Sequence, residues 1–278
     1  MAFFPAIVTY PSILGEMYSA AYTAPAFNWI CSPACTELET VVLDWVAKML
    51  GLPEVFLSEG QSGGGGVIQG SASEALLTCM IAARDRYLRN ALKKEGLEEK
   101  KDETEEQRLK REDRTAEIRG KMVALASEQA HSSAQKAANI LGIRYRSVRA
   151  GRETQYRMNG AALRAKLAEC RKQGLIPFFC NAMLGTTATC AVDELDEIAE
   201  IRKEEDELWV HIDAAYAGAA SICEEYREIA KAQWLGEFDS FNFNMHKWLL
   251  VNFDARYVSF FLSFPSPARL PPQETQQS

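Results

Sequence analysis

Two features are absent from this sequence: a long apolar run and an excess of positive charge. No stretch approaches the length needed to cross a bilayer, and the start of the chain lacks the basic residues and apolar core of a signal peptide. The formal net charge is −7, and no basic stripe is available to a nucleic acid. We therefore expect a cytoplasmic protein that has neither a membrane nor a nucleic acid as its partner.

Paired cysteines are also lacking. The 7 cysteines form no CxxC pair, and only Cys31 and Cys35, spaced C-x3-C, are close enough to suggest a metal pair on one helix face, without further ligands. An odd, scattered set in a chain without an export signal is typical of free, buried thiols in a reducing compartment. The sequence therefore predicts free cysteines and no metal site.

Most of the chain alternates between strand and helix patterns. Strands are predicted at residues 122–127, 144–148, 176–184, 208–213, 240–243 and 256–264. Helices are predicted at residues 35–50, 71–92, 132–141, 159–173, 192–204 and 224–235. Such alternation favours an α/β fold, with a mostly parallel sheet and helices on both of its faces.

Four segments fall outside this alternation. Residues 1–35, rich in proline, serine and aromatics, indicate an N-terminal loop and short-helix segment, which precedes a large domain at residues 36–262. Within that domain, residues 63–66 are all glycine and predict a flexible turn, and residues 93–121 mix both charges and indicate a solvated helical or disordered insertion. Residues 263–278 predict a disordered tail. A doubly wound domain rarely stops in this way, so we expect that the chain is cut short.

Candidate ligand-binding groups occur where predicted strands lead into helices, which is where open α/β sheets bind their ligands. Ser71, Ala72 and Ser73 form a small-residue loop whose backbone N–H groups and hydroxyls can hold an anion. The alternative is a simple N-cap, since Ser71 and Glu74 have the spacing of a capping box. A Walker A phosphate loop is excluded because no GK[ST] follows the glycines.

Two further groups lie at such positions. Asp213 ends an apolar strand pattern, where a carboxylate is costly unless a cation meets it, although capping the next helix is a common alternative use. His131 lies between a predicted strand and a predicted helix. Local sequence explains it as well by a capping or core role as by a ligand-facing one.

Lys247 follows His246 within an apolar and aromatic stretch at residues 240–254. Burial there disfavours the charged ammonium, so we expect a lowered pKa and an amine that can attack a carbonyl. On this stretch alone, a lysine that extends its ammonium to solvent is the better explanation.

One cofactor requires all of these groups together. Pyridoxal 5′-phosphate needs an anion cradle for its phosphate, a lysine for its aldehyde, a carboxylate for its pyridine nitrogen and a flat group against its ring. Each unit by which Asp213 raises the pKa of that nitrogen corresponds to about 1.4 kcal/mol of preferential stabilisation of the protonated ring. The combination therefore predicts a pyridoxal-phosphate site.

The sequence also resembles one family, the aromatic L-amino-acid decarboxylases, which are group II pyridoxal-phosphate decarboxylases. Six blocks carry the resemblance in order: residues 32–39, 65–75, 129–133, 184–187, 211–218 and 242–254. The resemblance implies the large domain of the aspartate-aminotransferase fold (fold type I) without its C-terminal small domain, and a homodimer if the chain is complete. It implies decarboxylation of an aromatic L-amino acid (tryptophan, tyrosine, phenylalanine or hydroxylated forms) to the amine and CO2.

The resemblance also implies roles residue by residue. As catalytic groups, Lys247 would bond the cofactor aldehyde as a Schiff base, Asp213 would pair with the pyridine nitrogen, and His131 would stack on the ring and help to place the substrate carboxylate. The remaining residues that would hold the phosphate, pack on the other ring face or lie near the cofactor are Ser71, Ala72, Ser73, Asn244, Ala215, Thr187 and His246. The residues that would contact the substrate, the last two across a dimer interface, are Phe4, Pro5, Pro25 and Phe27.

Two departures from the family pattern leave the reaction open. Ala6 stands where animal members that form catecholamines carry a threonine, which makes a catechol a weaker candidate than tryptophan, tyrosine or phenylalanine. The likeness ends after Asp254, before the loop tyrosine that separates the decarboxylases from the aromatic aldehyde synthases of the same family. An aldehyde synthase and an inactive truncated fragment or pseudoenzyme therefore stay as alternatives.

Overall fold

A computed structural model of the chain describes residues 7–60, 63–252 and 256–260. Its α-helices are α1 (Tyr10–Tyr22), α2 (Pro33–Leu50), α3 (Ala72–Lys94), α4 (Glu105–Lys121), α5 (Ser133–Ile140), α6 (Gly160–Lys172), α7 (Leu195–Glu204) and α8 (Met245–Trp248). Its strands are β1 (Gly65–Gln69), β2 (Met122–Ser127), β3 (Arg144–Val148), β4 (Ile176–Met183), β5 (Trp209–Asp213), β6 (Ser240–Asn244) and β7 (Arg256–Phe260).

The strands form a single sheet in the order β1-β7-β6-β5-β4-β2-β3. The pairs from β3 across to β6 are parallel, whereas β7 runs antiparallel to both β6 and β1. Parallel neighbours need crossover connections, which the helices between these strands supply. The predicted α/β class, with a mostly parallel sheet, is therefore confirmed.

Helices cover both faces of the sheet, and the residues of its inner strands β2, β4, β5 and β6 are therefore buried at almost every position. In β2, Val123 packs on one face with α2, α6 and α7, whereas Ala124 packs on the other face with α3, α4 and α5. In β5, Ile212 belongs to the first of these faces. The alternation of strand side chains therefore places His211 and Asp213 on the face covered by α3 and α5.

Most predicted elements are confirmed to within a few residues, and the charged insertion at residues 93–121 is mostly helical. Its second half is α4, which begins with a complete capping box between Thr104 and Gln107. Arg114 pairs with Glu95 at 2.7 Å and so links α4 to the turn after α3. Only Ile118 of α4 is buried, which agrees with the solvent-exposed segment that its charged sequence predicts.

Two predictions of local structure were wrong. Residues 65–66 are not a flexible turn but the start of β1, because β7 supplies them with an antiparallel partner. Residues 224–235 do not form an α-helix; two short 3-10 turns, Glu224–Tyr226 and Ala232–Glu237, flank Lys231. Lys231 has a left-handed backbone (φ 51°), which an α-helix cannot contain, and its ammonium pairs with Asp196 at 2.6 Å.

At the C-terminal end, the predicted strand at residues 256–264 is confirmed over β7 only, at residues 256–260. Residues 261–264 and the predicted tail at 263–278 lie outside the described residues.

Candidate active site

A cavity of about 220 Å³ opens where β4, β5 and β6 end. Its walls come from the start of α3, the loop before α5, the ends of β4 and β5, and α8. The lining residues are Ser71, Ala72, Ser73, His131, Met183, Gly185, Thr187, Asp213, Ala215, Tyr216, His246 and Lys247. Nine of the ten residues proposed from the sequence to bind the cofactor are therefore brought together here.

The other predicted residues lie elsewhere. Asn244 is fully buried at the end of β6, behind the cavity, with its Nδ2 3.4 Å from Nε2 of His246. Pro25 and Phe27 do not line the cavity; both are exposed, and Phe27 is 77% exposed. Phe4 and Pro5, like Ala6, lie outside the described residues.

The first turn of α3 forms one wall of the cavity. Ser71 is the N-cap, and its Oγ accepts a hydrogen bond from the Glu74 N–H at 3.1 Å, so the capping interpretation is correct. A capped helix still cannot satisfy its first N–H groups, which here belong to Ala72 and Ser73. Together with the positive end of the helix dipole, they make this wall suited to an anion.

His131 also has two roles that local sequence could not separate. Its Nδ1 accepts a hydrogen bond from the Ser133 N–H at 3.2 Å and lies 3.0 Å from Ser133 Oγ, so the ring caps the first turn of α5. Because Nδ1 is an acceptor, the neutral ring carries its proton on Nε2. The ring nevertheless lines the cavity, so that capping fixes its position there.

Asp213 ends β5 and is only 3% exposed. Its Oδ1 accepts a hydrogen bond from the Ala215 N–H at 3.1 Å, the local turn that an aspartate commonly forms with the second residue after it. The Asp213 side chain also lines the cavity. A buried carboxylate is stable when a cation meets it, and Lys247 lines the same cavity.

His211, to which the sequence assigned no role, lies two residues before Asp213 on the same face of β5. It is fully buried, with Nε2 2.7 Å from Asn242 Oδ1 and Nδ1 2.7 Å from Ser240 Oγ. The Trp209 indole N–H donates to that same Ser240 oxygen at 2.7 Å. These bonds form a continuous polar chain beneath the cavity. The two-residue period of strands was the signal that could have identified it.

Burial lowers the pKa of His211 to about 4, and the nearby negative charge of Asp213 opposes this shift without cancelling it. The imidazole is therefore neutral at physiological pH. With the Asn242 amide oxygen facing Nε2, that nitrogen carries the proton. Because His211 is neutral, it does not neutralise the negative charge of Asp213. That charge can therefore act on a group bound in the cavity.

Lys247 lies in α8, directly after β6, and is half-buried. The burial expected from the stretch 240–254 is therefore only partial, and Trp248 and Leu250 of that stretch are 44% and 45% exposed. The Trp248 ring stacks on Tyr216, with centroids 4.8 Å apart and planes 6° from parallel. This contact joins α8 to the loop that carries Asp213 and Ala215.

Gly185, another cavity residue, shows why the turn after β4 requires glycine. Its φ is +88°, and a Cβ there would lie 2.4 Å from Ala217 Cβ. A side chain at this position would displace the loop that contains Ala215 and Tyr216.

All seven cysteines are free, as predicted, but Cys31, Cys190 and Cys223 are exposed rather than buried. Cys31 precedes α2 instead of sharing a helix face with Cys35. Within the described ranges, no cluster of histidine, cysteine and acidic side chains has the arrangement of a metal site. Across the same ranges, no helix combines the length and apolarity of a membrane span.

Comparison with known proteins gives a consistent result. The family model described as "Pyridoxal-dependent decarboxylase conserved domain" matches residues 1–260. The aromatic-L-amino-acid decarboxylase of Cavia porcellus is 47% identical over 254 residues, which cover 91% of this chain and 48% of that protein.

Solved structures agree with this match. Catharanthus roseus tryptophan decarboxylase in complex with L-tryptophan superposes with a TM-score of 0.78 at 36% identity, covering 93% of this chain and 49% of that chain. Rhodiola rosea 4-hydroxyphenylacetaldehyde synthase gives a TM-score of 0.80 at 34% identity, with 93% and 50% covered. The chain thus spans about half the length of the relatives that it matches.

Proposed function

This chain belongs to the pyridoxal-dependent decarboxylase family, and we propose that its cavity binds pyridoxal 5′-phosphate for the decarboxylation of an aromatic L-amino acid to the amine and CO2. The observation that carries the proposal is that a buried carboxylate, Asp213, and an amine, Lys247, line one cavity with the N-terminus of α3. The fold alone would place many chemistries at this edge of the sheet.

The donor set of the cavity fits this cofactor. The phosphate matches the N–H groups of Ala72 and Ser73, together with the nearby serine hydroxyls. Lys247 supplies the amine that the aldehyde needs, and Asp213 the carboxylate that the pyridine nitrogen needs. His131 and Ala215 provide a flat group and a small side chain for the two faces of the ring. Thr187 and His246 also line the cavity.

When bound, the cofactor supplies an electron sink for the pair of electrons that the bond from Cα to the carboxylate releases. Asp213 would hold a proton at the ring nitrogen, because a buried negative charge raises the pKa of that nitrogen. The Ala215 N–H holds the carboxylate in place through its hydrogen bond to Oδ1. The neutral His211 beneath it adds no competing positive charge.

Orientation is the second contribution of these residues. His131 is held by Ser133 at the edge of the cavity, where its Nε2–H can donate to a substrate carboxylate. Lys247 would hold the cofactor through its aldehyde. Such prearranged groups act without reorganisation during the reaction, which is the main source of electrostatic catalysis.

A second candidate, the aromatic aldehyde synthase reaction, is favoured by one observation, the superposition on the Rhodiola rosea enzyme. The inactive-fragment alternative arises because the chain spans about half of its relatives. Both are decided by the same assay, in which the purified chain and pyridoxal phosphate are incubated with tryptophan, tyrosine and phenylalanine in turn.

We expect CO2 and the matching amine, and a yellow protein whose colour is lost in the variant Lys247→Ala. Lys203→Ala, at an exposed surface ion pair, is the matched control and should keep the colour. Aldehyde with hydrogen peroxide and ammonia would replace the proposal with the synthase reaction. A yellow protein that releases no CO2 would indicate a pseudoenzyme, and a colourless wild type would overturn cofactor binding.

We also propose that the chain is cytoplasmic and forms a homodimer. Seven free cysteines suit a reducing compartment.

The homodimer is proposed from exposed apolar surface. Helix α1 has no buried residue, and the side chains of Tyr10, Leu14 and Met17 are 85%, 53% and 62% exposed. Trp45 of α2 is 63% exposed. Apolar surface of this kind marks an interface with another chain. Sedimentation equilibrium should give twice the chain mass, and Met17→Glu should shift it towards the monomer.

A further inference from the structure

The turn that carries Lys247 has little local support. Helix α8 has four residues and no side-chain cap at its N-terminus, which is too short for a helix to be stable by itself. Leu250, three residues after the lysine, has a left-handed backbone (φ 58°), a conformation that a leucine rarely adopts. Contacts from elsewhere in the chain must therefore hold this turn in place.

Besides the stack of Trp248 on Tyr216, contacts of this kind come from the N-terminal end of the described chain. The Ile7 N–H donates to the His246 carbonyl at 3.2 Å, and the Thr9 hydroxyl donates to the Leu250 carbonyl at 3.0 Å. The acceptors lie on either side of Lys247 in the sequence. The backbone of the turn is thus held both before and after the reactive lysine.

A reciprocal pair of bonds extends this contact. The Ser12 hydroxyl donates to Asn252 Oδ1 at 2.8 Å, and the Asn252 N–H donates to Ser12 Oγ at 2.6 Å. Ser12 lies in the first turn of α1, a helix with no buried residue. The polar bonds to residues 246–252 are therefore a principal attachment of this segment to the rest of the described structure.

We propose that residues 7–12 act as a positioning strap for Lys247, with the hydroxyls of Thr9 and Ser12 as positioning groups. The strap selects one backbone conformation of residues 246–252, so that the amine points into the cavity instead of sampling solvent. The inference rests on the proposed role of Lys247 in holding the cofactor. It adds that this role depends on a segment about 240 positions away in the sequence.

The test compares the full chain with the double variant Thr9→Val and Ser12→Ala, which removes both hydroxyls with little change in shape. Thr9→Ser, which keeps its hydroxyl, is the rescue variant, and Ser19→Ala on the exposed surface of α1 is the matched control. Two readouts are needed: hydrogen exchange of the backbone amides of residues 245–252, and the dissociation constant of pyridoxal phosphate.

Loss of these three hydrogen bonds should weaken cofactor binding by about threefold to tenfold and speed exchange in residues 245–252, with the melting temperature of the chain unchanged. Thr9→Ser and Ser19→Ala should match the wild type in both readouts. Wild-type exchange and affinity in the double variant would overturn the strap, as would a uniform loss of protection across the sheet. If the wild type binds no pyridoxal phosphate, the proposed function fails, and the exchange of residues 245–252 still decides the strap.

Discussion

Asp213 and Lys247 line the same cavity, but different kinds of contact hold them there. Asp213 ends a central strand, with β4 and β6 paired on either side and the His211 chain of hydrogen bonds beneath it. Lys247 lies in a four-residue helix held by the Tyr216–Trp248 stack and by bonds from Thr9 and other N-terminal residues. We refer to these as the carboxylate half and the amine half of the cavity.

The difference has an energetic consequence. The carboxylate half can move only if the sheet opens, so its local stability approaches that of the whole domain. The amine half depends on a few long-range hydrogen bonds, each with a net value of about 1 kcal/mol, and can loosen without unfolding. Mutations should therefore separate the two halves: some lower the stability of the fold, and others change chemistry or local order alone.

The largest effect on stability is expected at the base of the carboxylate half. Asp239, 1% exposed, accepts hydrogen bonds from Arg86 at 2.6 Å, from Arg202 at 2.9 Å and from the Val210 N–H at 2.8 Å. The substitution Asp239→Ala leaves two guanidinium groups without their buried partner, which should cost about 3–5 kcal/mol of unfolding free energy. Urea denaturation measures this loss.

The control for that experiment is Glu237→Ala, two residues away, where an exposed carboxylate lies 3.8 Å from Lys203. A surface pair of this kind should contribute less than about 1 kcal/mol. Equal losses in the two variants would show that the base of β5 and β6 is not the rigid support described above.

Next in size is Asp213→Asn, which removes the charge and keeps the shape. If the proposed function holds, the decarboxylation rate of the cofactor-loaded chain should fall on the order of 10²-fold, because an amide cannot hold the proton at the ring nitrogen. The unfolding free energy should stay the same or rise, since no buried charge remains to be desolvated. A large loss of stability with little loss of rate would assign Asp213 to the fold and not to the chemistry.

The smallest of these effects is a pH dependence. The pKa of His211 is lowered from its ordinary value to about 4, so below about pH 6.5 the unfolded chain takes up a proton that the folded chain does not. Stability should therefore fall as the pH drops through this window, by on the order of 2–3 kcal/mol once the folded value is reached. The variant His211→Asn should lack this contribution.

Subtracting the variant's urea-unfolding free energy from that of the wild type at each pH cancels the other titrating groups. The difference should shrink as the pH falls from neutral towards 4. A difference that stays constant with pH would mean that His211 takes up its proton as readily in the folded protein as in the unfolded one. A neutral His211 beneath Asp213 would then be ruled out.

The carboxylate half was largely predictable because neighbouring residues in the sequence determine where its side chains lie. A strand pattern that ends in Asp213, followed by small residues, fixes both the position and the face of that carboxylate. His211 was missed although it obeys the same two-residue period, because a histidine within an apolar strand reads equally well as core. The helix start at Ser71 was likewise encoded in a few adjacent residues.

For the amine half, the sequence predicted which residue supplies the amine but not the contacts that hold it in place. The sequence identified Lys247, but the apolar stretch around it buries it only in part, since Lys247 is half-buried and Trp248 is 44% exposed. What holds the turn is Thr9 and Ser12, whose partners are about 240 residues distant and leave no periodic signal. Pairing of Gly65 and Gly66 with β7 was missed for the same reason.

One measurement tests most directly that both halves face a single bound molecule. The full chain is incubated with pyridoxal phosphate, reduced with borohydride and digested, and the modified lysines are identified by mass spectrometry. The account predicts one adduct, on Lys247, which is diminished by Asp213→Asn but not by Glu237→Ala. Adducts spread over exposed lysines such as Lys48 and Lys94, with none on Lys247, would contradict it.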